Sequence, residues 1–293
     1  MAGTYEYQPG FNNEFSSSAL PGALPPYGNS PQKCPYDLFA EPVSGTAFTA
    51  PRKENKRTWM YRVQPSVLHK PFERVPDSGK DNGKDNGKDG DYAGYAGHGP
   101  FTEANGFEIN PNQLRWNPLP LPPSGSSRTF VESLFTKAGH GDPTAKEGLA
   151  IHMYSANESM GKSAMQNADG DFLIVPQVGT LTVRTELGFL EVPPRQICVI
   201  PRGIVFSVAV SGPSRGYVLE VFKGHFDLPD LGPIGSNGLA NPRDFEHPVA
   251  SFDASPSEPW TLLNKFGGRM FSTTREGTPF NVVAWHGNYA PFR

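Results

Sequence analysis

The chain has 293 residues, a net charge of −3, and 32 glycines with 31 prolines, so about a fifth of it is Gly or Pro against a usual ~12%. That density of helix-interrupting residues excludes a long helical bundle, and 12% aromatic residues at so low a net charge exclude global disorder. Near-neutrality also gives no electrostatic footing for nucleic acid or an anionic membrane surface, no apolar run approaches the ~20 residues that span a bilayer, and the first fifteen residues lack the basic and apolar regions of a secretory signal.

Residues 1–65 are rich in Gly, Pro, Ser, Asn and aromatics and read as a long arm packed over something else. Short strands are predicted there at 36–40 and 47–50, and a better one at 59–63, where Trp59-Met60-Tyr61-Arg62-Val63 alternates. Residues 77–99 carry the tandem Lys-Asp-Asn-Gly at 80–87, with balanced charge and almost no apolar side chains, and predict a solvated surface insertion. Its alternating aspartates lack the closing Glu of a calcium loop.

From 128 onward the pattern becomes a series of strands, predicted at 130–135, 149–154, 171–175, 180–185, 188–192, 196–200, 205–210 and 217–222, separated by Gly/Pro turns. Residues 231–245 read as an ordered loop, and 279–286 as one more strand. Together these predict a mainly β fold: a cupin-like jelly roll or β-sandwich with a long Gly/Pro-rich N-terminal arm and few helices. Two distant cysteines, Cys34 and Cys198, fit a reducing compartment better than a disulfide framework, and the expected location is the cytoplasm.

A jelly roll invites a search for metal ligands. The histidines are 69, 98, 140, 152, 225, 247 and 286, and no two are separated by one residue as in a His-x-His pair. His152 falls on a predicted strand, as a packed or rim histidine or as a ligand with no complete set around it. His225-Phe226-Asp227 with His286 has the order of a two-His-one-carboxylate iron triad, but a His-x-acid match is expected by chance in a chain of this composition. No nucleophile elbow or phosphate loop is present. Trp285-His286-Gly287 leaves two readings for His286, an active-site base or a buried histidine bonded to backbone.

Longer runs carry more information. Gly10 to Phe15, Asn29 to Gln32, Ser44 to Arg52, Asn55 to Arg62, Pro111 to Trp116, Asp169 to Gln177, Asp227 to Gly235, Gly238 to Phe245 and Phe280 to Tyr289 resemble the homogentisate 1,2-dioxygenase family over nearly the whole chain. That resemblance implies a cytosolic, O₂-dependent, non-haem Fe(II) enzyme that cleaves the ring of homogentisate to maleylacetoacetate in tyrosine and phenylalanine breakdown, assembled as a hexamer. It implies that His286 is the proton acceptor for the substrate's ring hydroxyl. It implies that the iron ligands, two His and one Glu, lie beyond Arg293, so that this chain binds no metal itself. It also implies a division into an N-terminal, metal-free β-sandwich domain at 1–278 and the start of a C-terminal catalytic cupin domain at 279–293. The alternative expectation is a non-catalytic β-sandwich fragment with a binding or assembly role.

Overall fold

A computed structural model describes residues 4–26, 34–75, 100–105, 107–113, 115–228, 240–255 and 257–293. The predicted insertion at 77–99 and most of the predicted loop at 231–245 lie outside these residues. Numbered in chain order, the strands of the arm are β1 (Tyr7–Pro9), β2 (Phe15–Ser18), β3 (Phe39–Ser44) and β4 (Arg57–Arg62), and β5 (Glu73–Arg74) follows it. The central series is β6 (Phe135–Asp142), β7 (Glu147–Ala156), β8 (Ser163–Asn167), β9 (Asp171–Val178), β10 (Leu181–Thr185), β11 (Gly188–Val192), β12 (Cys198–Ile200), β13 (Val205–Val210) and β14 (Ser214–Val221). The last are β15 (Glu246–Pro248), β16 (Pro259–Phe266), β17 (Arg269–Glu276) and β18 (Val282–Gly287). Among the described residues the only helical pieces are three-residue 3-10 turns, as a chain so rich in Gly and Pro requires.

Two sheets face each other. One runs β11-β10-β13-β8-β16-β17-β5 and the other β12-β9-β14-β7-β6. Alternation aims one set of side chains from each inward. Phe172, Ile174, Val218 and Tyr154 from the five-stranded sheet meet Leu181, Val183, Phe206 and Met165 from the other in one apolar core. Burying each such side chain is worth about 1.5–3 kcal/mol. The predicted β-sandwich is therefore what forms.

A third sheet, β2-β18-β4-β3, joins the two ends of the chain. β18 lies between β2 and β4 and pairs with both antiparallel. One face of this sheet sends Met60 and Trp285 into the main core, where the Trp285 indole N–H donates to the Leu187 carbonyl at 2.9 Å. The other face carries Tyr61, Val283 and Ala284 into a second, smaller core with Ala23 and Leu38. The arm thus does more than cover the sandwich: it supplies three strands of a sheet whose fourth comes from near residue 285.

Several predicted elements are corrected. Residues 47–50 form a turn closed by the Ala50 N–H on the Ala47 carbonyl, with Phe48 exposed. At 36–40 a 3-10 turn, Pro35–Asp37, precedes β3. At 130–134 the chain is a single turn, not a strand: the Thr129 N–H donates to the Glu132 carboxylate and the Glu132 N–H to the Thr129 hydroxyl, as in a capping box, while Phe130, Val131 and Leu134 plug the sandwich. Strands β8, β16 and β17 were not predicted. The last two form a two-residue hairpin at Gly267-Gly268, both with positive φ, the conformation that a Gly-Gly pair supplies without strain.

Candidate functional site

His286 stands on β18, on the face shared with Trp59 and Tyr61 of β4, and is paired in register with Trp59 on one side and Ser16 on the other. Its Nε2 lies 3.0 Å from the Tyr61 hydroxyl, and the two rings stack at 5.8 Å with 26° between planes. Its Nδ1 lies 3.9 Å from the Glu14 carboxylate, which precedes β2. The imidazole is 19% exposed. Burial pushes its pKa below the usual histidine value, Glu14 opposes that shift and Arg57 adds to it. Burial also pushes the Tyr61 phenol up to about 12, with the Cys34 thiol contributing. Near neutrality the group is therefore a neutral imidazole between a protonated phenol and a carboxylate. That arrangement can take up a proton and balance the charge it acquires.

The other histidines fall elsewhere. His152 of β7 is fully buried, with Nε2 at 2.9 Å from Glu220 and Nδ1 at 3.0 Å from the Thr136 hydroxyl. Of its two sequence readings the structure supports the packed one. Glu220 also accepts from Lys265 Nζ at 2.9 Å and from the Asn167 amide at 2.7 Å. Lys265 donates in addition to Asp169 at 2.9 Å, and Asp169 accepts the Gly267 and Gly268 N–H groups of the hairpin. Burial alone would raise the Glu220 pKa, but the Lys265 ammonium outweighs it and holds the carboxyl down to about 2. Burial pushes His152 down, and the carboxylates keep Lys265 charged.

The His-x-Asp triad does not assemble. His225 points at Asp171 of β9, 2.9 Å away, and at the Gly45 carbonyl. Asp227 faces Lys56 at 3.6 Å and the Asn12 amide, and His286, on β18, faces Tyr61 and Glu14 instead. His247 is buried against Phe15 and Phe292, and burial pushes it down to about 4. A cavity of about 30 Å³ lies beside Lys56, Asp171, His225, His247 and Tyr289, room for a water or two and far too little for an aromatic ring. Cys34 and Cys198 form no disulfide.

Among the described residues no three His, Cys, Asp or Glu side chains are placed to hold a metal. The buried Glu220 and Asp169 already hold a cation of the protein's own, the Lys265 ammonium. These residues do not fit an iron site. No helix among the described residues is long and apolar enough to cross a membrane.

The fold is an all-β sandwich with a third sheet on which a half-buried imidazole lies beside a phenol and a carboxylate. A family model for the homogentisate 1,2-dioxygenase N-terminal region matches residues 6–293, and the chain belongs to that family. It is 51% identical over 289 residues to homogentisate 1,2-dioxygenase of Dictyostelium discoideum, covering 99% of this chain and 62% of that protein. It is 53% identical over 299 residues to that of Drosophila melanogaster, with the same coverage of each. It is 48% identical over 292 residues to that of Homo sapiens, covering 98% of this chain and 61% of that protein. The chain thus spans about three fifths of the length of these curated relatives. A cupin superfamily protein from Desulfitobacterium hafniense superposes at a TM-score of 0.27 with 15% identity, over 38% of this chain and all of that one; nothing further rests on that likeness.

Tyr61 and Glu14 gave no sequence signal as partners of His286. Alternation in 59–63 places Trp59 and Tyr61 on one face, but which strand lies beside them is settled by a pairing across more than two hundred residues. Lys265 was missed because β8, β16 and the hairpin were missed.

Proposed function

We propose that this chain is the scaffold portion of an O₂-dependent, Fe(II)-requiring homogentisate 1,2-dioxygenase, and that His286 is the proton acceptor for the substrate's ring hydroxyl. The observation that carries the reading is the setting of His286: a partly open imidazole 3.0 Å from the Tyr61 hydroxyl and 3.9 Å from the Glu14 carboxylate. A phenolic proton needs an acceptor whose protonated form is stabilised nearby, and general bases of this kind typically contribute 10²–10⁴-fold. Family membership and about 50% identity to three named dioxygenases support the activity. In this reading residues 1–278 form the metal-free domain and residues 279–293 begin the catalytic one. The working form is a cytoplasmic homo-oligomer, with homogentisate and O₂ as its substrates and neither nucleic acid nor membrane as a partner.

The test is oxygen uptake with homogentisate and Fe(II). This chain followed by the remaining two fifths of the Dictyostelium relative should turn over, and His286→Ala in that protein should lower kcat by about 10²-fold or more. Undiminished kcat in His286→Ala would overturn the role of His286. Turnover by the 293-residue chain alone would overturn the scaffold reading.

A further inference from the structure

His225 follows β14 and stands where the arm meets the sandwich. Its Nδ1 lies 2.9 Å from Asp171 Oδ2, at the start of β9, and its Nε2 lies 2.9 Å from the Gly45 carbonyl, at the turn between β3 and β4. Both are full hydrogen-bond distances. Neither partner is a donor. A backbone carbonyl has no proton, and a proton shared between a carboxylate and an imidazole rests on the imidazole, the stronger base. The other Asp171 oxygen accepts the Arg202 backbone N–H at 3.0 Å and faces the Arg202 guanidinium at 3.6 Å. Keeping both contacts therefore takes two ring N–H groups, which only the imidazolium has. The approach is close because residue 45 is glycine: a Cβ there would stand 2.8 Å from His225 Nε2 and 2.7 Å from the Tyr289 ring.

We propose that His225 is a proton-operated clasp: as the imidazolium it holds the β3–β4 turn, residues 45–56, against the sandwich, and on losing its proton it releases that turn. A neutral ring keeps one N–H, and the charged acceptor, Asp171, holds it more strongly than a neutral carbonyl does. Nε2 is then a lone pair facing the Gly45 carbonyl oxygen, and the two repel. The clasp is thus closed while the ring is protonated and opens as the pH rises through the titration of the ring. The neck of the turn is closed by the Gly45 N–H on the Lys56 carbonyl at 2.8 Å and by the Lys56 N–H on the Thr46 hydroxyl at 2.9 Å. Its tip carries Phe48, 92% exposed. Beyond Lys56 the chain enters β4 at Arg57, whose charge acts on His286. The charged and titratable groups around His225 are Asp171 of β9, Arg202 after β12, and Tyr289 after β18, whose hydroxyl donates to the Arg202 carbonyl at 2.9 Å. Lys56 and His247 of β15 line the same cavity, and Asp227 pairs with Lys56.

This clasp does not rest on the role of His286. The test is hydrogen exchange of the 293-residue chain, read by mass spectrometry. Exchange at the ring C2 carbon gives the titration of each histidine. Amide exchange of peptides within 45–56, corrected for its intrinsic pH dependence, gives the opening of the turn. Opening should rise roughly tenfold or more, the worth of a hydrogen bond to a charged group, at the pH where His225 titrates. His225→Gln, which carries no titratable ring, should flatten that rise. Asp171→Asn removes the charge that favours the imidazolium, and should move the His225 midpoint and the opening of the turn together to lower pH. An opening that stays level across the His225 titration overturns the proposal, and the unsubstituted chain shows this even where a variant fails to fold. So does a pH-dependent opening that persists in His225→Gln, which would belong to His247 or another neighbour. An opening that stays in place in Asp171→Asn while the His225 midpoint moves overturns it as well.

Discussion

The molecule holds two histidine–glutamate pairs in opposite circumstances. In the sandwich interior, His152 and Glu220 are both fully buried, 2.9 Å apart, and bound into a network with Lys265, Asp169 and Asn167. On the third sheet, His286 and Glu14 are 3.9 Å apart, with Glu14 half exposed and a single phenol on the other nitrogen. Every polar contact of the first pair is internal, so a proton can neither enter nor leave without breaking the core. The second pair leaves slack, an open carboxylate and a partly open ring. A pair of the same two residue types is structural in one place and available for chemistry in the other, and the difference lies in the cation. Lys265 neutralises the interior pair permanently, whereas His286 must find its own positive charge by accepting a proton.

The largest effect should come from removing that cation. Lys265→Met leaves Glu220 and Asp169 buried without a counter-charge, and breaking a buried ion network in this way typically costs about 3–5 kcal/mol. Urea unfolding monitored by circular dichroism measures the loss. Adding Glu220→Gln to Lys265→Met removes one stranded charge and should recover part of it. A full-strength core in Lys265→Met alone would mean that the interior pair does not depend on its lysine.

Acid should act on Glu220 of the interior pair and on the buried His247 in different pH ranges. Glu220 titrates at about 2 when folded and near 4.3 when unfolded. Its contribution is present above the unfolded value and is lost as the pH falls from about 4.3 to about 2. Histidines held below their usual value work in the other range. His247, pushed down to about 4, is neutral when folded while the unfolded chain takes up its proton below about 6.5. Stability therefore falls as the pH drops from about 6.5 to about 4, by about 2 kcal/mol at pH 5. His247→Phe, which can still pack against Phe15 and Phe292, should flatten the pH 5–7 stability profile, and Glu220→Gln should flatten the profile below pH 4.3. Unfolding midpoints across that range separate them.

How much of this was legible in the residues differs between the two regions. The alternation of Leu181, Val183, Phe206, Val208 and Val218 announces the sandwich because both of its faces are apolar and its turns carry Gly and Pro. The interior network runs against the same rule. In β16 the charged Lys265 is buried while its neighbour Phe266 is 60% exposed, so a hydrophobic pattern would slip that strand by one residue. The inversion holds because the Gly267-Gly268 amides fix Asp169 and Asp169 fixes the lysine. At the other site, His286 itself was identifiable from the runs that resemble the family. Its two partners come from residues 14 and 61, brought beside it by strand pairing that no local signal encodes.

His286→Ala sharpens the contrast from the stability side. It removes one hydrogen bond to Tyr61 at a partly open position, a loss of about 1 kcal/mol, well below that of Lys265→Met. Thermal unfolding of the two variants in parallel should rank them in that order. A larger loss for His286→Ala would make the third-sheet pair as structural as the interior one.

The smallest effect is electrostatic and distinguishes an open pair from a closed one. The Arg57 guanidinium, at the start of β4, lowers the pKa of His286 while its own side chain stays at the surface, bonded to Asn55. Replacing it, as in Arg57→Met, removes a repulsion that acts only on the imidazolium. The titration midpoint of His286 should rise by a few tenths of a pH unit, because a charge acting through water-like surroundings is worth little. Glu14→Gln should move the same midpoint down, since the carboxylate favours the charged ring. His152, sealed behind Glu220 and Lys265, should respond to neither change. Histidine resonances followed between pH 5 and 8 in the unsubstituted chain and both variants decide the matter. Opposite shifts at His286 with His152 unmoved mark the third-sheet pair as the one in exchange with solvent protons. A common shift of both rings would show that the two pairs answer to a field they share.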